Sequence, residues 1–172
     1  MARARLDLRT FQQELASRLA TKTAAQVESS RLGLFARGQR WLMRLADAGE
    51  VITMPQIVAV PMTRPWFLGV ANIRGNLYGV VDFAAFMGGE PAPVAASRRL
   101  VVLGPRVGEL NAGLVVQRVL GLRNLSELAP ASTAPDAAPW YAQRWMDGEG
   151  NAWQELDLVK LAHAPEFLQV GT

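Results

Sequence analysis

Two similar stretches of the chain limit the folds it can adopt. Residues 75–86 (GNLYGVVDFAAF) align without a gap on residues 150–161 (GNAWQELDLVKL). Each stretch begins with Gly-Asn, has an aromatic residue three places after the glycine, and continues as apolar-Asp-apolar-x-x-apolar. Upstream, Pro65-Trp66-Phe67 corresponds to Pro139-Trp140-Tyr141 with a slip of one residue. We interpret the two stretches as related β units, and a chance match of one short window is the alternative.

Each copy has the pattern of a strand, a Gly-Asn turn and a second strand that ends in aspartate. That aspartate is placed to cap a short helix whose apolar residues cover the open end of a barrel. From Leu32 onward, apolar residues occur in short bursts separated by Gly, Pro and Asn, at the spacing of hairpins. The sequence therefore predicts an all-β fold of two related small barrels packed together, since closed barrels remove exposed sheet edges.

The periodicity of the chain predicts its domain organisation. Leu8, Phe11, Leu15 and Leu19 recur at helical spacing, so residues 7–30 are predicted to form an amphipathic helix. We expect an N-terminal helical extension over residues 1–31, a main domain over 32–165 and a tail over 166–172. The stretches Gly88–Ser97 and Ala129–Pro139 are rich in Pro, Gly and Ala and read as linkers. The first linker would separate a first barrel of about 32–88 from a second of about 98–165, with some strand exchange allowed.

The sequence offers no machinery for catalysis. There is no cysteine, and His163 is the single histidine, which cannot alone form a metal site. We find no nucleophile elbow, phosphate-binding loop or dinucleotide fingerprint. Asp82 and Asp157 occupy matching places in the repeat and read as helix caps rather than a catalytic pair. The sequence predicts a protein that is not an enzyme, with no catalytic residues, no cofactor and no metal.

The charge and aromatic patterns of the chain do not favour binding to nucleic acid or membrane. Residues 1–40 carry eight Arg or Lys against three acids, but these are interspersed. Trp41, Trp66, Trp140 and Trp153 lie within apolar bursts, so core packing explains them better than base stacking. A nucleic-acid-binding small barrel remains the alternative function. No apolar run has the length of a membrane span and the N-terminus lacks a secretory h-region, so we expect a cytoplasmic protein without membrane insertion.

One turn has the character of a partner site. Residues 65–76 (PWFLGVANIRGN) place Arg74 and polar residues between strongly apolar strands. Gly69 falls inside a predicted strand, where it weakens pairing unless another backbone approaches closely. The second copy has Glu149 where the first has Arg74, so barrel architecture alone does not require the arginine. A solvated turn is the alternative to a binding site.

The same segment resembles the signature region of the CheW-like domain family. In that family the pattern is apolar-x-Gly-Val-x-Asn-Leu-Arg-Gly-x-apolar followed by Val-Ile-Asp-Leu, and this chain has FLGVANIRGNL and then VVDF. The order of the flanking strands also fits over about residues 32–165. The resemblance implies two five-stranded SH3-like barrels with short capping helices. Together with the N-terminal helix, the motif looks most like adaptors of chemosensory systems that control type IV pilus twitching motility.

The resemblance also implies partners and site residues. Proteins of this family are adaptors that bind the regulatory domain of a CheA-type histidine kinase and the cytoplasmic tip of a methyl-accepting chemoreceptor, and are recruited to receptor arrays at the inner membrane. When the partner-binding positions of the family are transferred to this sequence one by one, the implied partner site comprises Ala48, Glu50, Gly69, Asn72, Arg74 and Gly75. The chain departs from the family at Gly79, where a proline is usual, and at Arg144, near a position usually occupied by glycine. These departures leave contacts of the second barrel open.

Overall fold

The computed structural model describes residues 13, 17, 23–26, 28–132 and 137–172. Most of the helix predicted over residues 7–30 lies outside the described residues, so that helix stays a prediction. Within the described part of the chain, no helix is long and apolar enough to cross a membrane.

The fold is mostly β, as predicted, with two mixed sheets and short helices. Within residues 30–132 and 137–172, eleven strands are formed by β1 Ser30–Ala36, β2 Gln39–Arg44, β3 Ala48–Thr53, β4 Phe67–Ile73, β5 Asn76–Asp82, β6 Arg99–Leu103, β7 Ala112–Val116, β8 Arg118–Asn124, β9 Ala129–Ala131, β10 Tyr141–Met146 and β11 Ala152–Leu156. The helices in the same ranges are α1 Phe83–Phe86, α2 Leu158–His163 and α3 Pro165–Leu168, and 3-10 turns span Leu45–Asp47, Pro105–Val107 and Leu125–Glu127.

The two sheets share one plan, which accounts for the internal repeat. The first barrel has the strand order β3-β6-β7-β5-β4, and the second has β8-β1-β2-β11-β10-β9. In each barrel a hairpin, β6–β7 or β1–β2, pairs in parallel with the last strand of the repeat, β5 or β11. The short β9 adds a sixth strand at the edge of the second sheet, where the sequence pattern indicated a linker.

The sheets do not divide the chain at the predicted linker. Residues 48–116 supply all strands of the first barrel, while β1 and β2 join the C-terminal strands in the second. The stretch Gly88–Ser97 therefore connects α1 to β6 of the same sheet instead of separating the barrels. The exchange occurs where β2 runs through a 3-10 turn into β3, and where Gln117 alone separates β7 from β8. The hydrophobic pattern of the sequence could not predict this exchange of strands, since the hydrogen-bond partners of a strand lie far away in sequence.

The paired aspartates of the repeat are helix caps, as predicted. Asp82 Oδ1 accepts a hydrogen bond from Ala85 N, and Asp157 Oδ1 accepts one from Lys160 N, both at 3.1 Å. The backbone N–H groups of Asp82 and Asp157 also donate to Trp66 O and Trp140 O, both at 2.8 Å. These matched contacts place the two copies in equivalent environments.

An apolar core joins the two sheets, and a second core fills the first barrel. The inter-sheet core includes Leu34, Trp41, Phe83, Leu114 and Leu156. Inside the first barrel lie Ala71, Val80, Leu100, Val102 and Val115, among others. Trp41, Trp140 and Trp153 are buried and Trp66 is half-buried, in agreement with their predicted packing role.

The interior of the second barrel contains a charged pair where the first is apolar. Arg31 Nε lies 2.7 Å from Glu155 Oε1, and both side chains are less than one tenth exposed. Trp145 Nε1 donates to the other carboxylate oxygen of Glu155 at 2.8 Å, and Arg31 Nη1 donates to Glu28 O at 2.6 Å. In the 75-residue repeat, Glu155 corresponds to buried Val80. Through the hydrogen bond from Arg31 to Glu28 O, the buried pair thus also anchors the residues just before β1.

The residues predicted as a C-terminal tail belong to the folded body. Phe167 in α3 is buried in the inter-sheet core. Gly171 forms a β-bridge with Thr63, and Arg64 N donates to Val170 O at 2.8 Å. Residues 166–172 thus pack on the domain, because one aromatic residue anchors the segment and the backbone pairs with the connection between β3 and β4.

Candidate partner-binding site

The turn between β4 and β5 presents Arg74 to solvent. Arg74 and Gly75 are its two central residues, with φ angles of 52° and 88°. Two-residue hairpin turns with both φ angles positive match the twist of the flanking strands, and they favour glycine. Arg74 adopts this conformation as a non-glycine residue, which carries a small backbone cost. Its side chain is consequently held at the outermost point of the hairpin.

Asn72 supports the same turn from within the chain. Its Oδ1 accepts a hydrogen bond from Gly75 N at 2.9 Å. Asparagine side chains commonly stabilise turns by bonding to nearby backbone N–H groups. Asn72 and Gly75, both carried over as partner residues, therefore have a local task in shaping the turn, and both are exposed.

Arg74 forms an ion pair with Glu50 of edge strand β3. Arg74 Nη2 lies 2.7 Å from Glu50 Oε2, with side-chain exposures of 79% and 26%. The pair links the hairpin to the strand at the opposite edge of the same sheet. An exposed pair of this kind stabilises a fold by no more than about 1 kcal/mol. It does orient the arginine, whose remaining N–H groups stay available to a carboxylate of another molecule.

Gly69 and Ala48 belong to the two edge strands of the same sheet, β4 and β3. Gly69 is buried with φ 129°, and a Cβ built on it would lie 2.1 Å from Val58 O. The close approach allows two hydrogen bonds, Val58 N to Val70 O at 2.8 Å and Val70 N to Val58 O at 2.9 Å. The close backbone approach predicted at Gly69 is thus present, and the backbone that approaches is that of Val58 in the same chain. Ala48 is half-buried and packs on the inter-sheet core.

Several exposed apolar side chains of the first barrel and of its β3–β4 connection were not predicted. Leu77 lies opposite Asn72 on the β4–β5 ladder and is 63% exposed. Val51 follows Glu50 and is 40% exposed, and Val58 and Met62 of the β3–β4 connection are more exposed still. The segment NLYGVV around Leu77 lacks alternation, so the sequence pattern could not tell its outward residue from its inward ones.

One carboxyl group close to the site in sequence has a shifted pKa. Burial raises the pKa of Asp47, next to Ala48, and the neighbouring Arg44 and Arg106 oppose the shift.

Among the described residues, no group of His, Asp and Glu side chains is arranged to hold a metal ion. The Asp147 turn, whose spacing resembles a calcium loop, uses its carboxylate internally. Asp147 accepts hydrogen bonds from Asn151 N at 2.8 Å and Trp153 Nε1 at 2.9 Å.

Comparisons with known proteins agree with this fold. The CheW-like domain family model matches residues 32–166. Protein PilI of Pseudomonas aeruginosa is 31% identical over 126 residues, covering 71% of this chain and 67% of PilI. Protein FrzA of Myxococcus xanthus is 27% identical over 124 residues, covering 71% of this chain and 74% of FrzA.

A solved structure shares the architecture. The crystal structure of the scaffolding protein TtCheW from Thermoanaerobacter tengcongensis superposes with a TM-score of 0.64, covering 75% of this chain and 88% of that protein. At 15% identity this match supports the fold alone. The family model spans most of the two barrels, including the Arg74 hairpin. The chain therefore belongs to the CheW-like domain family, whose members are non-enzymatic scaffold adaptors.

Proposed function

We propose that this protein couples the cytoplasmic tip of a chemoreceptor to the regulatory domain of a CheA-type histidine kinase, in control of type IV pilus twitching motility. The observation that carries the proposal is the exposed Arg74–Glu50 pair on a hairpin of a CheW-like barrel. The similarity to PilI and FrzA supports a motility output for this adaptor role. In this proposal the protein acts in the cytoplasm and joins receptor arrays at the inner membrane.

The six carried-over residues would contribute in different ways. Arg74 and Glu50 would form the polar centre of the site, and the exposed apolar residues Leu77 and Val51 would contribute from β5 and β3. Interfaces commonly combine a few apolar anchors with an arginine that makes charge-assisted hydrogen bonds.

The other four residues would act indirectly. Asn72 and Gly75 would keep the turn in shape, Gly69 would let β4 approach the Val58 backbone, and Ala48 would pack β3 on the inter-sheet core. The receptor's helices would lie as amphipathic ligands in a groove between the barrels. Signal transmission would follow from different contacts with the two states of the kinase.

Co-purification from cells tests this proposal. The tagged full chain should capture the kinase and a receptor-containing membrane fraction, and a strain that lacks the protein should lose twitching. Absence of the kinase from the captured material would contradict the proposal. An electrophoretic shift of DNA or RNA at physiological salt would instead favour the nucleic-acid-binding alternative.

A further inference from the structure

An open depression on the second barrel has an unusual lining. It has a volume of about 390 Å³ and lies where the parallel strands β2 and β11 begin. Its walls include Gln39, Arg40, Arg144, Trp153 and Gln154. The described lining contains two arginines and two glutamines and no carboxylate. We call it the arginine depression.

The two arginines form no ion pair with a carboxylate among the residues that the structure describes. Arg31, Arg74 and Arg106 each lie within 4.0 Å of a carboxylate oxygen. Within residues 28–132 and 137–172, no such ion pair involves Arg40 or Arg144. The guanidinium carbon of Arg40 lies 5.9 Å from the centre of the buried Trp153 ring. An aromatic platform restricts a guanidinium group while leaving its N–H edge free for a planar acceptor.

The fold does not require these charges. Strand pairing places Arg144 opposite Gln154, and in the first barrel Val70 lies opposite Gly79 at the equivalent point of the repeat. Arg40 corresponds in the same way to Asn111, whose carbonyl accepts a hydrogen bond from Gly79 N. The first barrel thus forms the same architecture with uncharged residues at both positions.

We propose that the arginine depression binds a carboxylate-bearing segment of a partner protein. Two guanidinium groups with free N–H edges suit carboxylates, which they bind through paired hydrogen bonds. Glutamine side chains beside them supply further donors. The inference does not rest on the proposed function, because the depression lies on the second barrel and Arg74 lies on the first.

The surroundings favour a short acidic segment over an extended polyanion. Arg123 lies over the Trp153 ring at 5.1 Å and lines a separate cleft with Glu127, Asp147 and Glu149. These acids repel a nucleic acid backbone or an anionic membrane that spreads beyond the depression. A peptide segment with a few neighbouring carboxylates can contact both arginines within the depression itself.

Fluorescence anisotropy with a labelled octaglutamate peptide tests the inference on the full chain at physiological ionic strength. The double variant Arg40→Glu/Arg144→Glu should bind at least about tenfold more weakly than the wild type, because both charge-assisted contacts become repulsive. The variant Arg40→Lys/Arg144→Lys should fall between the two, since lysine keeps the charge but loses the planar fork. Circular dichroism checks that each variant is folded.

A control with the same change in net charge separates a site from general attraction. Arg64→Glu/Lys160→Glu alters two exposed residues outside the depression and should retain binding to within about twofold. Equal weakening of both charge-reversed variants, or no binding of octaglutamate to the wild type, would overturn the inference. Tighter binding of an oligonucleotide or of phosphatidylserine vesicles through Arg40 and Arg144 would overturn the choice of a protein partner.

Discussion

Arg74 and Glu50 meet at 2.7 Å between the β4–β5 turn and edge strand β3, with the arginine three times as exposed as the glutamate. The glutamate is partly shielded and fixed on a strand, whereas the arginine extends into solvent. The pair therefore orients Arg74 at little energetic benefit to the fold. A residue held in this way loses less conformational entropy on binding than a free one.

Substitution of Gly69 tests how closely β4 packs against the backbone of Val58. Gly69→Ala should lower the free energy of unfolding by about 2–4 kcal/mol, because the methyl group meets Val58 O and φ is positive. Gly75→Ala also has a positive φ but has open space around it, so it should cost only about 1 kcal/mol. Urea denaturation of both variants gives the comparison. Equal losses would show that Val58 moves away freely.

The buried pair of the second barrel should matter more than the exposed pair of the first. Glu155→Ala leaves Arg31 buried without its carboxylate, so we expect a loss of about 3–5 kcal/mol in unfolding free energy. Glu50→Ala, which leaves Arg74 in solvent, should cost at most about 1 kcal/mol. Chemical denaturation measures both, and a small loss for Glu155→Ala would mean that water or relaxation compensates Arg31.

The two helix caps of the repeat should differ in strength. Asp157→Ala removes an exposed cap and should cost about 1 kcal/mol. Asp82 is 1% exposed and also accepts a hydrogen bond from Ala92 N at 2.9 Å, which anchors the 88–97 connection. Asp82→Ala leaves two backbone donors unsatisfied and should cost about 2–3 kcal/mol. Thermal unfolding of both variants would contradict this account if Asp157→Ala were the more damaging.

Asp147 should make stability depend on pH. The hydrogen bond from the Trp153 indole, with further bonds from Asn151 and Glu149, lowers the pKa of this carboxyl in the folded protein. A lowered pKa contributes stability above the unfolded value of about 3.9, and that contribution is lost as the pH falls through the folded pKa. Asp147→Asn should therefore be less stable than the wild type at pH 7, with a difference that shrinks in acid.

Asp47 gives a control of opposite sign. Burial raises the pKa of Asp47, so its contribution is fully present below about pH 3.9 and is lost as the pH rises through the folded pKa. Asp47→Asn should gain stability relative to the wild type at pH 7 and lose that gain in acid. Denaturation at several pH values measures both variants, and parallel curves for the two would contradict the assigned shifts.

Local features of the fold could be predicted where a residue type has one physical use. The repeat aspartates were identifiable as caps because each precedes a short apolar triplet, and the glycine within β4 indicated a close backbone approach. The Arg74-Gly75 turn followed from its position between apolar strands. In each of these positions, neighbours in sequence determine the conformation.

Long-range pairings could not be predicted in the same way. The β1–β2 hairpin pairs with β8 and β11, and its sequence does not distinguish these partners from the strands of the first barrel. From its residue type, Arg31 would be expected at the surface, and only the ion pair with Glu155 explains its burial. The contact between Arg74 and Glu50 likewise depends on how the edges of one sheet come together.

Titration calorimetry of the full chain against the kinase regulatory domain tests the central claim most directly. Arg74→Asp should remove measurable binding while the circular dichroism spectrum stays unchanged, because the substitution repels Glu50 and any partner carboxylate. Arg64→Asp, an equal charge change at another exposed arginine of the chain, should bind like the wild type. Wild-type affinity in the folded Arg74→Asp variant would contradict the assignment of the hairpin as the partner site.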